Sequence, residues 1–343
     1  MNILFTCAGR RNYLLKYFKK ALQGQGKIVA VDSQLSAAAL AEADISIQVP
    51  NIFEPEYIDS LLSIIVEYNI GAIICLNDLE LPILAKNRSL LEQSGAKLLV
   101  SDEKIINLAF DKWKTYHFFS ELNILTPQTF LTIEDTLKAI ENKVINYPII
   151  LKPRWGSASI GIEVVENETE LLLFYQFLKI KLSKSILNQT CLEGGDRCII
   201  FQEKIDAEEY GMDILNDFNG NHYNSFVRKK IAMRSGETDR AISVIDEGFL
   251  KIGKKIGSET SHIGIMDCDC FVKDGRIYVL EMNPRFGGGY PFSHEAGIDT
   301  PSIYVSWLYG KSDISKFDNY KANMSFSKFE TLISTKVLEE SRK

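Results

Sequence analysis

Within five residues, Glu281-Met-Asn283-Pro-Arg285, the chain offers a carboxylate, an amide oxygen and a guanidinium. The stretch follows a strand-like run, Arg276-Ile-Tyr-Val-Leu280, and leads into Phe286-Gly-Gly-Gly-Tyr290. On an extended backbone Glu281 and Asn283, two residues apart, point to the same face. Hard oxygen ligands on one face suit Mg²⁺, which takes one or two carboxylates and completes its shell with water and substrate phosphates. Pro284 has no N–H and stops strand pairing. Arg285 then supplies a rigid cationic fork for phosphate or carboxylate. A strand running into a polar loop reads the same way over so short a stretch, so the assignment depends on what the rest of the chain supplies.

A lysine ends a second apolar run, Ile149-Ile-Leu-Lys152-Pro153, and is followed by Arg154-Trp-Gly156-Ser157-Ala-Ser159-Ile-Gly161. A loop of small residues between two strands leaves backbone N–H groups free to wrap phosphate oxygens, and its glycines allow close approach. Lys152 adds a point charge beside them. A flexible hairpin is the plainer alternative. Further on, Phe201-Gln202-Glu203-Lys204-Ile205 reads as a strand becoming a linker, able to offer backbone groups to an adenine edge, and Glu209 is suited to accept ribose hydroxyls.

Asp274-Gly275 marks a hairpin turn whose first strand carries Asp267 and Asp269. A two-residue turn sets position 269 opposite 280, leaving Asp269 and Glu281 on opposite faces. A three-residue loop, Lys273-Asp274-Gly275 with Gly275 left-handed and a bulge, sets 267 opposite 281 and 269 opposite 279. Asp267, Asp269, Glu281 and Asn283 then share a face. Metal binding therefore predicts the three-residue loop.

Several weaker candidates surround these. Gly9-Arg10-Arg11 is a tight turn at a helix start and could hold an anion, although the G-x-G-x-x-G glycines are missing. Asp32, Asn77 and Asp78 fall at strand ends, where they could contact ligand or cap a helix. Arg228, Arg234 and Arg240 could hold a substrate carboxylate, and Gly287, Gly288 and Gly289 could make backbone contacts to an acyl group. His294 could lie near substrate, and His262 reads as structural.

Residues 1–100 alternate apolar strand-like runs (3–7, 28–32, 72–76, 97–100) with helical spacing (13–22, 57–68, 79–93). That alternation indicates a parallel sheet with helices on both faces, whose ligands sit at the carboxyl ends of the strands. Two helices are expected at 103–109 and 112–122, and a small α+β unit at 128–205, with 181–197 as a mobile polar loop. Beyond 208 the chain is strand-rich, with hairpins at Asn219-Gly220 and Asp274-Gly275 and helices at 246–255 and 301–309. Length (343 residues) fits about two domains, and 45% hydrophobic with 24% charged residues fits a globular protein. A net charge of −6 argues against a nucleic-acid partner. No apolar run approaches the ~20 residues that span a bilayer, and the N-terminus lacks a signal-peptide pattern. The six cysteines show no zinc spacing, so a reduced, cytoplasmic protein is expected.

Taken in order, Asp111-Lys112, Lys152-Pro153 with its small-residue loop, Gln202-Glu203, Glu209-Tyr-Gly-Met-Asp213, Asp269 and Glu281-Met-Asn-Pro-Arg285 resemble the ATP-grasp superfamily, especially its carbamoyl-phosphate-synthase-like members. The resemblance covers residues 1–310. It implies an α/β and α+β chain: a pre-ATP-grasp parallel-sheet domain (1–105), linking helices (106–127), a small subdomain (128–205), a central subdomain (206–310) and a tail (311–343). ATP would be clamped between the two subdomains. By position Lys112 and Lys152 meet the phosphates with Gly156, Ser157, Ser159 and Gly161. Gln202, Glu203, Lys204 and Ile205 meet the adenine, and Glu209 the ribose. Asp269, Glu281 and Asn283 hold Mg²⁺, with Mn²⁺ as an alternative, and Arg285 acts on the γ-phosphate or acyl phosphate. Family members often carry Glu or Gln at position 269, so Asp267 competes with the shorter Asp269.

The implied reaction joins a small-molecule carboxylate to an amine through an acyl phosphate, releasing ADP and phosphate. A small-molecule kinase on the same fold, or a non-catalytic nucleotide-binding module, are the alternatives. No nucleic acid or membrane partner is implied, and a homodimer is left open. A full carbamoyl-phosphate synthase is not expected, because the chain carries one ATP-grasp unit and no glutaminase region.

Overall fold

Five short apolar strands form the first sheet in the computed structural model, which describes residues 1–156, 161–234 and 236–335, omitting the side chains of 189, 190 and 193. β1 (Asn2–Thr6), β2 (Ile28–Asp32), β3 (Ile45–Gln48), β4 (Ile70–Cys75) and β5 (Lys97–Leu98) are parallel, in the order β3-β2-β1-β4-β5. Alternate residues feed two cores. Ile3, Phe5, Ala30 and Ile74 enter one with Leu14 and Phe18 of the helix Asn12–Leu22; Leu4, Val29, Val31 and Ile73 enter the other with Leu61 and Ile65 of the helix Tyr57–Glu67. A sheet covered on both faces needs apolar side chains at every position, hence the continuous runs.

β3 was not expected from sequence. The single helix expected over 79–93 is two, Leu81–Lys86 and Arg88–Gln93. They part at Asn87, whose side-chain amide donates to the Ile83 carbonyl at 2.9 Å and competes with the backbone ladder.

The helices Glu103–Phe110 and Lys112–Glu121 lead to a four-stranded antiparallel sheet. It comprises β6 (Thr129–Phe130), β7 (Ile149–Pro153), β8 (Glu163–Val165) and β9 (Ile199–Glu203), in the order β6-β9-β7-β8. The helix Glu168–Ser183 packs on it through Leu171, Leu178 and Leu182. The polar loop expected over 181–197 is corrected: that helix runs on to Ser183, and a second helix, Asn188–Gly194, precedes a 3-10 turn, Gly195–Arg197. Leu182 and Leu187, both buried, anchor this polar stretch.

β10 (Glu208–Asn216), β11 (His222–Arg234), β12 (Glu237–Val244), β13 (Ile265–Lys273), β14 (Arg276–Asn283) and β15 (Ser325–Ser327) form a third sheet in the order β14-β13-β10-β11-β12-β15. One face is apolar: Met212, Ile214, Val227, Met266, Cys268, Val279 and Met282 pack with Phe249 and Ile256 of the helix Glu247–Thr260 and with Phe119. The other face is polar, carrying Glu209, Asp213, Arg228, Lys230, Asp267, Asp269, Glu281 and Asn283 in adjacent register. Among the described residues no helix is long and apolar enough to cross a membrane.

The β13–β14 hairpin corrects the expected loop. Lys273 pairs with Arg276, so the turn has two residues, and both are left-handed, Asp274 at φ 50 and Gly275 at φ 71, as a type I′ turn requires. The bulge lies farther in, where the register shifts between Asp269 and Cys270 and leaves Leu280 as the extra residue of β14. Asp269 thereby stands opposite Glu281, and Asp267 opposite Asn283. The four side chains share a face, as expected, through a different turn and different partners.

Candidate active site

β7 of the small sheet faces the polar side of the large sheet across a cavity of about 360 Å³. Lys112, Lys152, Gly156, Gln202, Glu203, Ile205, Glu209, Asp269 and Glu281 line it, with Ile150, Met233 and Leu280 as apolar walls. Lys152 is 4% exposed. Burial pushes its pKa down to about 8, against the pull of Glu281 and with a further push from Lys112. Burial works against ionisation of Glu281 too, but Lys112 and Lys152, with a hydrogen bond from Asn283, hold it below the usual carboxylate range. Lys112 Nζ stands 4.0 Å from Glu281 and donates to the Gly156 carbonyl. Burial lifts Asp269 above its ordinary value although Lys230, 2.6 Å away, pulls it down. Lys230 also lies 3.7 Å from Glu209.

The supporting roles of three residues were not read from the sequence. Asp111 caps the helix that carries Lys112, accepting from Trp113 N at 3.0 Å and Lys114 N at 3.3 Å. Arg154 grips both Asp111 oxygens, at 2.7 and 2.6 Å. This fork binds the start of the Lys112 helix to the residue after β7 and so fixes the two lysines relative to each other. Lys230 is the cation on Asp269. The one available signal was the two-residue spacing of Arg228 and Lys230, which puts both on one strand face.

Arg228 is not open to a substrate. It is 2% exposed and donates to Asp213 at 2.7 Å and Asp267 at 2.6 Å. Burial disfavours its charge, but the two carboxylates hold its pKa above the ordinary value. Ser293 donates to Asp213 at 2.6 Å. Asp267 also lies 3.6 Å from Arg285, so it is engaged by two arginines while Asp269 faces the cavity. Arg285 donates to Asp78 at 2.6 Å and is absent from the cavity lining. Gly287 abuts Asp267 and Gly289 abuts Arg228, where a Cβ would come within 2.3 Å of either side chain. Gly288 has open space, its nearest neighbour being Glu237 at 3.9 Å.

The other candidates scatter. Arg10 is exposed; Arg11 donates to the Phe286 carbonyl at 3.1 Å. Asn77 accepts from Leu79 N at 2.8 Å, and Asp32 accepts from Gly9 N at 2.9 Å. Arg240 is exposed and neighbours Ala241, which pairs with Lys230, so it turns to the opposite side of the sheet. Gly161 has φ 71 and packs toward Leu178, while Lys204 is exposed and off the cavity lining. Ser157 and Ser159 lie outside the described residues. Glu203 accepts from Gln128 N at 3.1 Å. Gln202 is buried; its Nε2 donates to Thr129 at 2.8 Å and its Oε1 has no partner among the described residues. His294 stacks on Tyr17, centroids 3.6 Å apart, away from the cavity. His262 is fully buried, and burial pushes its pKa down to about 4.

A family model described as the ATP-grasp domain matches residues 109–289, and one described as the PylC-like N-terminal domain matches residues 3–99. The chain belongs to the ATP-grasp family. It is 22% identical over 236 residues to the carbamoyl phosphate synthase large chain of Gemmatimonas aurantiaca, covering 65% of this chain and 20% of that one. The match spans about a fifth of that relative's length. It is 29% identical over 203 residues to the D-alanine–D-alanine ligase of Petrotoga mobilis, covering 57% and 63%. The biotin carboxylase–β,γ-ATP complex from Campylobacter jejuni has the same fold, with a TM-score of 0.74 at 19% identity over 94% of this chain and 74% of that one.

Proposed function

We propose that the protein is an ATP-dependent ligase that joins a small-molecule carboxylate to an amine through an acyl phosphate. The observation that carries this reading is the convergence of Lys152 and Lys112 with Asp269 and Glu281 across one cavity. Two cations and two acids facing one space suit a nucleotide's phosphates and their metal better than they suit one another. Ile150, Met233 and Leu280 give a planar base an apolar wall, and the unpartnered Gln202 Oε1 is an acceptor for an amino group such as adenine's. Glu209 stands nearby for the ribose. Relatives named for carbamoyl phosphate synthesis and for D-alanine–D-alanine ligation support the same class of chemistry.

Among the described residues no three His, Cys, Asp or Glu side chains cluster as a metal site. Asp269 stands opposite Glu281 in the ladder, with Asn283 two residues further on the same face; two carboxylates and an amide offer oxygen alone, and with phosphates left to complete the shell such a set fits Mg²⁺. Asp269, Glu281 and Asn283 would hold it, and it would neutralise phosphate charge.

In the reaction a substrate carboxylate oxygen attacks the γ-phosphorus, the bond to the β-phosphate oxygen breaks, and ADP leaves. Lys152 and Lys112 offset the charge of the transferring group. The amine nitrogen then attacks the acyl carbon, the C–O bond to phosphate breaks, and the surplus amine proton passes to phosphate and solvent. Arg285, freed from Asp78 or acting beside it, would steady the acyl phosphate. The test is ADP release against pooled carboxylates with hydroxylamine as nucleophile. A hydroxamate is expected. A stable phosphate ester and no hydroxamate would make the protein a kinase, and no turnover across the pools would favour a binding module.

A further inference from the structure

We infer that two copies of this chain meet through the outer face of the helix Glu168–Ser183, laid antiparallel about a two-fold axis. The inference is independent of the ligase reading. The helix is apolar on two sides. Leu171, Leu178 and Leu182 are buried against the small sheet. Leu173, Phe177 and Ile180 are 65%, 53% and 57% exposed. Spaced by four and then three residues, these form a single stripe along the helix. A helix at a protein surface ordinarily turns charge to water on that side, and one that is apolar all round is covered all round. No described residue covers this stripe.

The order of charge along the stripe identifies the cover. Carried outward at the same spacing, it reads Glu166, Glu170, Leu173, Phe177, Ile180, Lys184: acid at the start, apolar in the middle, base at the end. A second copy laid parallel would set acid on acid, and one laid antiparallel sets acid on base. The intervals 4, 3, 4, 3, 4 read the same in both directions about position 175. A two-fold axis there therefore sets Leu173 against the partner's Phe177, Glu170 beside the partner's Ile180 and Glu166 by the partner's Lys184. That is the self-complementary pattern of an isologous helix pair. Lys179 and Lys181 are already held within the chain, by Asp196 at 2.7 Å and Glu163 at 3.1 Å. Lys184 and Glu166 form no ion pair among the described residues, so both remain for the contact.

The pairing leaves the nucleotide cavity open. Ile149, Leu151 and Phe201 of the small sheet face the helix, while the alternate residues Ile150, Lys152 and Gln202 line the cavity on the other side. Contact between two such helices therefore joins two small subdomains back to back. One helix pair is small beside the ~1,200–2,000 Å² of a stable interface, so the dimer is weak and reversible.

Sedimentation of the full chain over a range of concentrations tests this. The average mass should rise with concentration from 38.8 kDa toward twice that value. Phe177→Glu should stay monomeric throughout, with its circular dichroism unchanged. Lys184→Glu should raise the dissociation constant ~5- to 30-fold, because symmetry turns two attractive pairs into repulsive ones at once. Adding Glu166→Lys to it should restore most of the affinity. A wild type that is monomeric at every concentration overturns the inference and leaves the stripe to a different protein or to solvent. A dimer untouched by Phe177→Glu overturns it as well, since another face would then be in use. Loss in Phe177→Glu with no response to Lys184→Glu or to the exchanged pair overturns the antiparallel arrangement.

Discussion

Alanine at each of the three consecutive glycines 287–289 distinguishes packing from ligand contact within one loop. A Cβ on Gly287 would fall 2.3 Å from the Asp267 carboxylate, and one on Gly289 would fall 2.3 Å from Arg228 Nε; on Gly288 it meets nothing closer than 3.9 Å. None of the three has a positive φ, so alanine brings no backbone strain. Asp267 cannot swing aside without leaving Arg228 at 2.6 Å. The guanidinium is confined on its other side by Gly211, where a Cβ would meet Cζ at 2.8 Å. Overpacking a filled interior costs ~1–3 kcal/mol, while removing glycine's freedom from the unfolded chain returns ~0.4–1 kcal/mol. Gly287→Ala and Gly289→Ala should therefore lose about 1–2 kcal/mol, and Gly288→Ala should be neutral or gain up to ~1 kcal/mol. Urea unfolding followed by tryptophan fluorescence and circular dichroism measures the three side by side. Equal midpoints, or Gly288→Ala as the least stable, would refute the packing argument.

ATP binding near pH 8 should take up a proton, because phosphates restore the charge of a lysine whose pKa lies at about 8. Calorimetry in buffers of different ionisation heat should detect it in the wild type and not in Lys152→Met. Lys152 is lowered from 10.5, so the unfolded chain binds more protons between pH 8 and 10.5, and this group's contribution to stability rises with pH across that window. Lys152→Met should flatten that rise in urea midpoints. Glu281→Ala should abolish ADP release with the circular dichroism unchanged, and EDTA should weaken wild-type ATP binding; metal-independent binding of equal strength would remove the metal assignment. Arg228→Met strands the Asp213 and Asp267 carboxylates and should cost ~3–5 kcal/mol in thermal or urea unfolding, with partial recovery when Asp213→Asn is added.

The elements with a strong period were legible in the sequence. Leu14, Leu15, Phe18 and Leu22 announce their helix, and Ile28-Val-Ala-Val31 announces a strand buried on both faces. Lys152, Glu281 and Glu209, singled out by residue type near the ends of recognisable strands, all line the cavity. Arg228 was misread because ion pairing decides whether an arginine is available, and its partners Asp213 and Asp267 lie 15 and 39 residues away in the chain. Arg154 and Asp111 were missed for the same reason, being 43 residues apart. β3 escaped because Ile45-Ser-Ile-Gln48 is short and half polar, and its pairing with β2 supplies what its own pattern lacks.

The bulge at Leu280 changes what one strand can deliver. A regular strand shows a given surface only every second side chain. By doubling one position, β14 turns Leu280 and Glu281 toward the same space, and both line the cavity. A greasy contact and an acid thus arrive at the cavity from adjacent links of the backbone. An apolar patch and a charged patch of the cavity wall are spliced with no intervening residue. The splice also sets a mutational asymmetry. Removing Leu280 would leave Glu281 opposite Asp269 in an unbroken ladder, so the acid would keep its aim while the cavity lost its lining, and the two jobs of this hairpin could be taken apart by a single deletion.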